Sequence, residues 1–301
     1  MLAILNILGP ILLMAGLGAL LQRAFKLSLD TLVKLNLYLF VPAFIFQRVG
    51  TSNIDWSEMG WIMGLTCVTG VGLGAIVGLL ARLGGASRPT VAAMMLATCI
   101  YNSGNYGVPL AELAYGTEGG AAQTFVLFTQ NILTFTVGMF LAGSGTMSPK
   151  AVLKRLFRMP IPYAVFAGVA LRFVGAEKMP AILDSSATYL ANGLVPVALV
   201  TLGAQLGKNP RWPRWKPVLV VCGARLIIGP LFMMGLIRLT PTELYPLPGD
   251  VLVLTAGVPC AINILLLTIE LEGDADLAAD CVFWSTVFSA VSVAVWIAIL
   301  E

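Results

Sequence analysis

The chain has 301 residues, of which 58% are apolar and only 11% charged, with a net charge of +3 and a mean hydropathy of +0.90. A water-soluble domain carries roughly a quarter of its residues as charged side chains, so the composition excludes a soluble globular protein and reads as a polytopic membrane protein. No His is present, which excludes a Ser-His triad and imidazole-held metal or haem, and the small net charge gives no warrant for nucleic-acid binding.

A helix needs about 20 apolar residues to cross the hydrocarbon. Cutting the chain at its charged and Gly/Pro-rich breaks yields ten candidate spans, near 2–22, 31–49, 59–81, 89–115, 119–142, 160–175, 180–206, 216–239, 249–271 and 277–300. Basic residues Arg23 and Lys26 follow span 1 and none precedes it, so it reads as a retained span and not as a cleaved signal peptide. The odd-numbered connections hold thirteen Lys and Arg and the even-numbered ones four. That asymmetry places the odd loops in the cytoplasm and both termini outside the cell membrane. In the fifth loop Lys150, Lys154, Arg155 and Arg158 fall within one sector of a helix, which predicts either a stretch lying on the inner membrane surface or a plain topogenic loop.

The two halves show ordered self-similarity. Pro10 and Gly16 match Pro162 and Gly168, Cys67 and Gly74 match Cys222 and Gly229, and Gly116 and Thr129 match Gly273 and Thr286, with a separation that drifts slowly along the chain. Each half holds five spans, an odd number, so the second lies inverted relative to the first. The expected organisation is a first repeat at 1–145, a cytoplasmic connection at 146–160 and an inverted second repeat at 161–301.

Spans 4 and 9 carry the punctuation. Span 4 contains YNSGNYGVP, in which Asn102, Ser103, Gly104, Asn105, Tyr106, Gly107 and Pro109 stand at mid-membrane depth. Such a stretch is tolerated there only where it lines a protein-enclosed cavity. The spacing predicts a helix to about Tyr101, a short extended break and a second half-helix from about Asn105, with Pro109 in its first turn. Span 9 contains AGVPCAINILLL and is expected to break near Gly257 and Val258, with Pro259 starting its second half and Asn263 one turn in.

These two segments, and the polar fifth span after the first of them, resemble the auxin efflux carrier family, which includes the plant PIN-FORMED carriers and bacterial malonate or dicarboxylate carriers. The resemblance implies an all-α fold related to the bile-acid sodium symporters. Spans 1, 2, 6 and 7 would form a scaffold, and spans 3 to 5 with 8 to 10 a moving core whose broken helices 4 and 9 cross at the substrate. Where the plant carriers place a proline between two asparagines, this chain has Ser103 and Gly104, a departure that bears on auxin as the substrate. A homodimer through the scaffold helices is a further expectation.

Two half-helix N-termini meeting at one point present unpaired N–H groups and about half a positive charge each. The predicted ligand is therefore a small organic anion, a carboxylate, held near Asn105 to Gly107 and Pro259 to Asn263, with Asn102, Asn105 and Asn263 supplying amides and Tyr106 beside them. The alternative role for the asparagines is to satisfy backbone freed by the breaks. Among the ionisable residues within spans, Glu112, Arg225 and Asp280 fall in the implied core. Arg225 either clamps the carboxylate or pairs with Asp280 or Glu112, and the pair is preferred because the crossover already supplies positive potential.

The resemblance implies that oxygens such as those of Gln130, Asn131 and Ser285, with other polar residues of spans 5 and 10, could hold cations as in the related symporters; interhelical hydrogen bonding is the preferred reading of them. Gly70, Gly74 and Gly78 of span 3 predict close helix packing. No cofactor or resident metal is expected, since the five cysteines are scattered singly within apolar runs. The expected activity is secondary transport by alternating access, uncoupled or proton-linked and without a sodium requirement. An intramembrane enzyme, a non-transporting sensor, a channel and a sodium-coupled symporter are the rivals.

Overall fold

The computed structural model describes residues 2–52, 54–138, 141, 157–175, 179–206, 212–240, 244, 246–261, 263–270 and 273–300. Among them every regular element is helical: α1 (Leu2–Phe25), α2 (Leu29–Leu35), α3 (Val41–Thr51), α4 (Trp56–Leu83), α5 (Arg88–Cys99), α6 (Val108–Leu133), α7 (Pro160–Val174), α8 (Ala181–Leu206), α9 (Trp215–Gly223), α10 (Gly229–Ile237), α11 (Leu247–Ala256), α12 (Asn263–Glu270) and α13 (Ala275–Leu300). π-helical turns at Asn36–Phe40 and Ala224–Ile228 carry α2 into α3 and α9 into α10, and a third at Ser103–Gly107 leads into α6. Among the described residues five stretches are long and apolar enough to cross a membrane: Thr31–Thr51, Trp56–Leu83, Ala181–Ala204, Trp215–Ile237 and Ala275–Leu300. Gly9–Phe25, Pro160–Val174 and Leu247–Ala256 are shorter apolar helices.

Local sequence accounts for where the helices start. The side chains of Ser28 and Ser87 accept from the backbone N–H groups of Thr31 and Thr90, and Asp55 with Glu58 forms a reciprocal capping box ahead of α4. Prolines occupy the first turn of α3, α5, α6, α7, α10 and α11, where a missing N–H costs nothing. Gly116 divides α6 into two pieces, because its φ of +66° is a conformation that only glycine adopts freely. The expected boundary between spans 4 and 5 is therefore a single residue within α6.

The helices pack in two main groups, with α6 also touching α1, α3 and α8. α1 lies against α8, and α3 against α7 and α8; α4 packs on α5 and α6, α6 on α11, α11 on α10, and α9 on α13. The glycine face of α4 is a packing face: a Cβ on Gly70 would stand 2.9 Å from the Cys99 carbonyl oxygen, and one on Gly74 3.2 Å from that of Met95. The fifth-loop residues Lys150, Lys154 and Arg155 lie outside the described residues, as do most of 146–160.

Candidate substrate site

The two broken segments meet. The Asn102 N–H donates to the Pro259 carbonyl at 2.8 Å and the Ala261 N–H to the Ile100 carbonyl at 3.2 Å, which makes an antiparallel bridge of Tyr101 and Cys260. Each break supplies the other with backbone partners, so neither leaves these polar groups bare. The break positions differ slightly from the sequence expectation. α5 ends at Cys99 and not at Tyr101, and α12 begins at Asn263, so Pro259 stands inside the break and does not start the half-helix. The reason is that the bridge holds Tyr101 and Cys260 extended.

Side chains from the following helices complete the bridge in matching fashion. From α6, Gln130 Oε1 accepts from the Tyr101 N–H at 3.2 Å; from α13, Ser285 Oγ accepts from the Cys260 N–H at 3.0 Å. Gln130 Nε2 also donates to the Cys99 carbonyl at 3.5 Å, and Gln123 Nε2 donates to the Ser103 carbonyl at 2.9 Å. Gly107 closes on Gln123, so that a Cβ there would strike the amide. Asn102 caps its own turn, its Oδ1 accepting from the Asn105 N–H at 3.1 Å. The Tyr106 hydroxyl is buried 3.1 Å from Ser289 Oγ.

Arg225 departs from both sequence readings. It is fully buried in the π turn between α9 and α10, and its guanidinium donates to the carbonyls of Ala256 at 2.7 Å, Thr98 at 3.3 Å and Val258 at 3.4 Å, with its carbon 4.3 Å from the centre of the Tyr101 ring. These bonds place it at the C-terminal ends of α5 and α11, which present unpaired carbonyls and the negative ends of two helix dipoles. A guanidinium with five donors satisfies them together. The preferred pair with Asp280 or Glu112 is therefore not formed. The Glu112 carboxylate instead receives Arg48 of α3, whose Nη2 contacts Oε1 while Nε donates to Oε2 at 3.4 Å. Asp280 Oδ2 accepts from the Arg214 N–H at 3.5 Å.

Beside the bridge lies a cleft enclosing about 650 Å³, counting its open mouth. Its polar lining includes Asn36, Asn102, Asn105, Gln130, Asn131 and Asn263, and among the described residues no charged side chain lines it. Of the residues singled out from the sequence, Asn102, Asn105, Asn263, Gln130 and Asn131 thus share one cavity. Tyr106, Gly107, Pro259, Glu112, Arg225, Asp280 and Ser285 stand outside its lining. Asn36 was not legible as a site residue, although an amide deep in the apolar second span was the available signal. Val33, Thr134 and Ile161 border the cleft near the ends of α2, α6 and α7.

A model of the membrane transport protein family matches residues 4–297. The chain belongs to this family. The likeness to the auxin efflux carriers read from the broken segments is the same relationship, and this membrane transport protein is a multi-pass membrane protein. It is 28% identical over 274 residues to an uncharacterized transporter of Methanothermobacter thermautotrophicus, covering 90% of this chain and 89% of the relative. An uncharacterized transporter of Methanocaldococcus jannaschii is 25% identical over 275 residues, covering 86% of each chain. A Rhizobium meliloti protein provisionally named a malonate transporter is 27% identical over 241 residues, covering 76% of this chain and 74% of the relative.

Proposed function

We propose that the protein is a secondary carrier for a small carboxylate, built as ten spans in two inverted five-helix repeats and working by alternating access across the cell membrane. The Tyr101–Cys260 bridge carries this reading, because it brings the starts of two half-helices to one point beside an amide-lined cleft. The matching use of Gln130 and Ser285, each accepting from the backbone of its own break, supports the inverted repeat. Asn102, Asn105 and Asn263 would meet the anion, and the backbone starts of α6 and α12 would supply positive potential. Tyr106, Gly107 and Pro259 shape the crossover from behind.

In this reading the packing set of α1, α2, α3, α7 and α8 is the scaffold and the remainder is the moving core. The Arg48–Glu112 ion pair joins the two sets. Val33 on the cleft and Arg48 in the pair are fifteen residues apart in one span, about 22 Å along a helix at 1.5 Å per residue. With the odd loops cytoplasmic, the cleft faces inward and the ion pair closes the outer side. Gln130 and Ser285 spend their oxygens on backbone, which favours proton-linked or uncoupled movement over sodium coupling.

Uptake of labelled mono- and dicarboxylates into proteoliposomes under imposed potential and pH gradients tests the proposal. Saturable flux with counterflow is expected; flux that rises without saturation would identify a channel, and strict sodium dependence would restore the cation-site reading.

A further inference from the structure

We infer that the ligand is a singly charged carboxylate that also bears an O–H donor, and that Asn36 Oδ1 accepts from that donor. The inference rests on the carrier reading of the same cleft and adds to it the charge and the second functional group of the substrate. Asn36 lies in the π turn between α2 and α3, is 3% exposed and lines the cleft. Its amide orientation follows from its neighbour. The Thr201 hydroxyl donates to the Val197 carbonyl at 2.7 Å, so toward Asn36 it can only accept, from Nδ2 at 3.4 Å. The other end of the amide, Oδ1, is buried with no partner among the described residues. An unpaired buried carbonyl oxygen is costly, and it can be satisfied by an O–H or N–H but never by a carboxylate oxygen.

Asn131, on the same lining, spends one Nδ2 hydrogen on the Leu127 carbonyl at 2.8 Å and keeps its oxygen as an acceptor alongside the second hydrogen. Asn102 Oδ1 accepts from the Asn105 N–H, and its Nδ2 remains a donor beside the bridge. Donors from Asn102 and the helix starts and the unpaired Asn36 oxygen therefore line one cleft. Two helix starts at about half a positive charge each balance one negative charge, and among the described residues no charged side chain lines the cleft to balance a second. A hydroxy acid anion and a dicarboxylic acid that keeps one proton share this chemistry.

The experiment is a calorimetric titration of the purified protein with glycolate and with propionate, which replaces the hydroxyl by a methyl group of similar size. Glycolate should bind about tenfold more tightly, the size of one hydrogen bond at roughly 1.4 kcal/mol per tenfold. Asn36→Leu should bind the two equally, with thermal unfolding near that of the parent, because Thr201 keeps its Val197 partner. A parallel pH series with malonate should show affinity falling as its second carboxyl ionises, while glycolate affinity stays level. That series separates the half-protonated diacid from the hydroxy acid and needs no variant.

Equal binding of glycolate and propionate by the parent protein would overturn the inference and leave the carrier reading intact. Persistence of the preference in Asn36→Leu, or malonate affinity that does not follow its monoanion, would also overturn it. Binding of none of the three would overturn the carrier reading and the inference together.

Discussion

Arg48 in the last turn of α3 embraces the carboxylate of Glu112, five residues into α6, and this contact adds an ion pair to the packing of α3 against α6. Both side chains are mostly buried, and the Arg48 guanidinium also lies 5.0 Å from the centre of the Phe44 ring. Removing one partner leaves the other as an uncompensated charge in a poorly solvated place. Arg48→Ala should therefore destabilise the protein by about 3–5 kcal/mol, and adding Glu112→Gln should recover part of that loss. Thermal unfolding of the single and double variants checks this; additive losses would mean that the pair is not coupled.

Arg225 is expected to act through the ends of α5 and α11. Arg225→Ala orphans the Thr98, Ala256 and Val258 carbonyls, at about 1–3 kcal/mol for each buried group left unpaired, and should give little folded protein. Neither Asp280→Asn nor Glu112→Gln should rescue it, since neither carboxylate is its partner. Gel-filtration profiles of the single and double variants decide the matter; rescue by either second change would restore the ion-pair assignment.

Gln130 and Ser285 should behave alike. Replacing either by Ala strips one acceptor from the Tyr101–Cys260 bridge, from the N–H of Tyr101 or of Cys260. Each change should lower stability by about 1–3 kcal/mol and leave the sodium response of transport untouched, as read from unfolding curves and from flux with and without sodium.

Asn105→Ala and Asn263→Ala should weaken carboxylate binding roughly tenfold to a hundredfold, the range for a hydrogen bond to a charged group. Their unfolding temperatures should move less than those of Gln130→Ala, because the side chains face the cleft. Titration with a carboxylate alongside thermal unfolding separates the two effects; unchanged affinity in both would reduce the asparagines to helix-start residues.

Acid should loosen one corner of the molecule. Asp274, just ahead of α13, receives Arg214 at 2.6 Å, the Thr90 hydroxyl at 3.1 Å and the Leu277 N–H at 3.2 Å, joining the starts of α5, α9 and α13. Burial pushes its carboxyl upward, but these hydrogen bonds together outweigh that and hold it below the ordinary carboxylate value. A depressed value contributes stability above the unfolded-state pKa, and that stability is lost as pH falls through the lower folded-state value. Asp274→Asn should therefore be less stable than the parent at neutral pH, and the difference should shrink below the carboxylate range. Unfolding temperatures measured across that range test the sign.

Composition alone determined that the chain lives in a membrane, because 33 charged residues in 301 cannot clothe a water-facing surface. The positions of the two breaks were also legible, within two or three residues at α5 and a few more at α12, because glycine, proline and asparagine at mid-span leave few other ways to pair the backbone. The glycine face of α4 was legible for a similar reason, since small residues at helical spacing let a neighbour approach.

Partnerships across the chain were decided only by the tertiary structure. Arg225 pairs with carbonyls that exist because two other helices end beside it, and no residue type in the sequence marks a backbone acceptor. Arg48 counted only as a loop charge until α3 and α6 were brought together. Asn36 became a candidate ligand group because Thr201, 165 residues away, fixes its amide and leaves the oxygen of a cleft-lining residue unpaired among the described residues. Local spacing prescribes which segments must bend or break, but charge and hydrogen-bond pairing depend on distances of a few ångströms between residues remote in sequence, which only the packed fold sets.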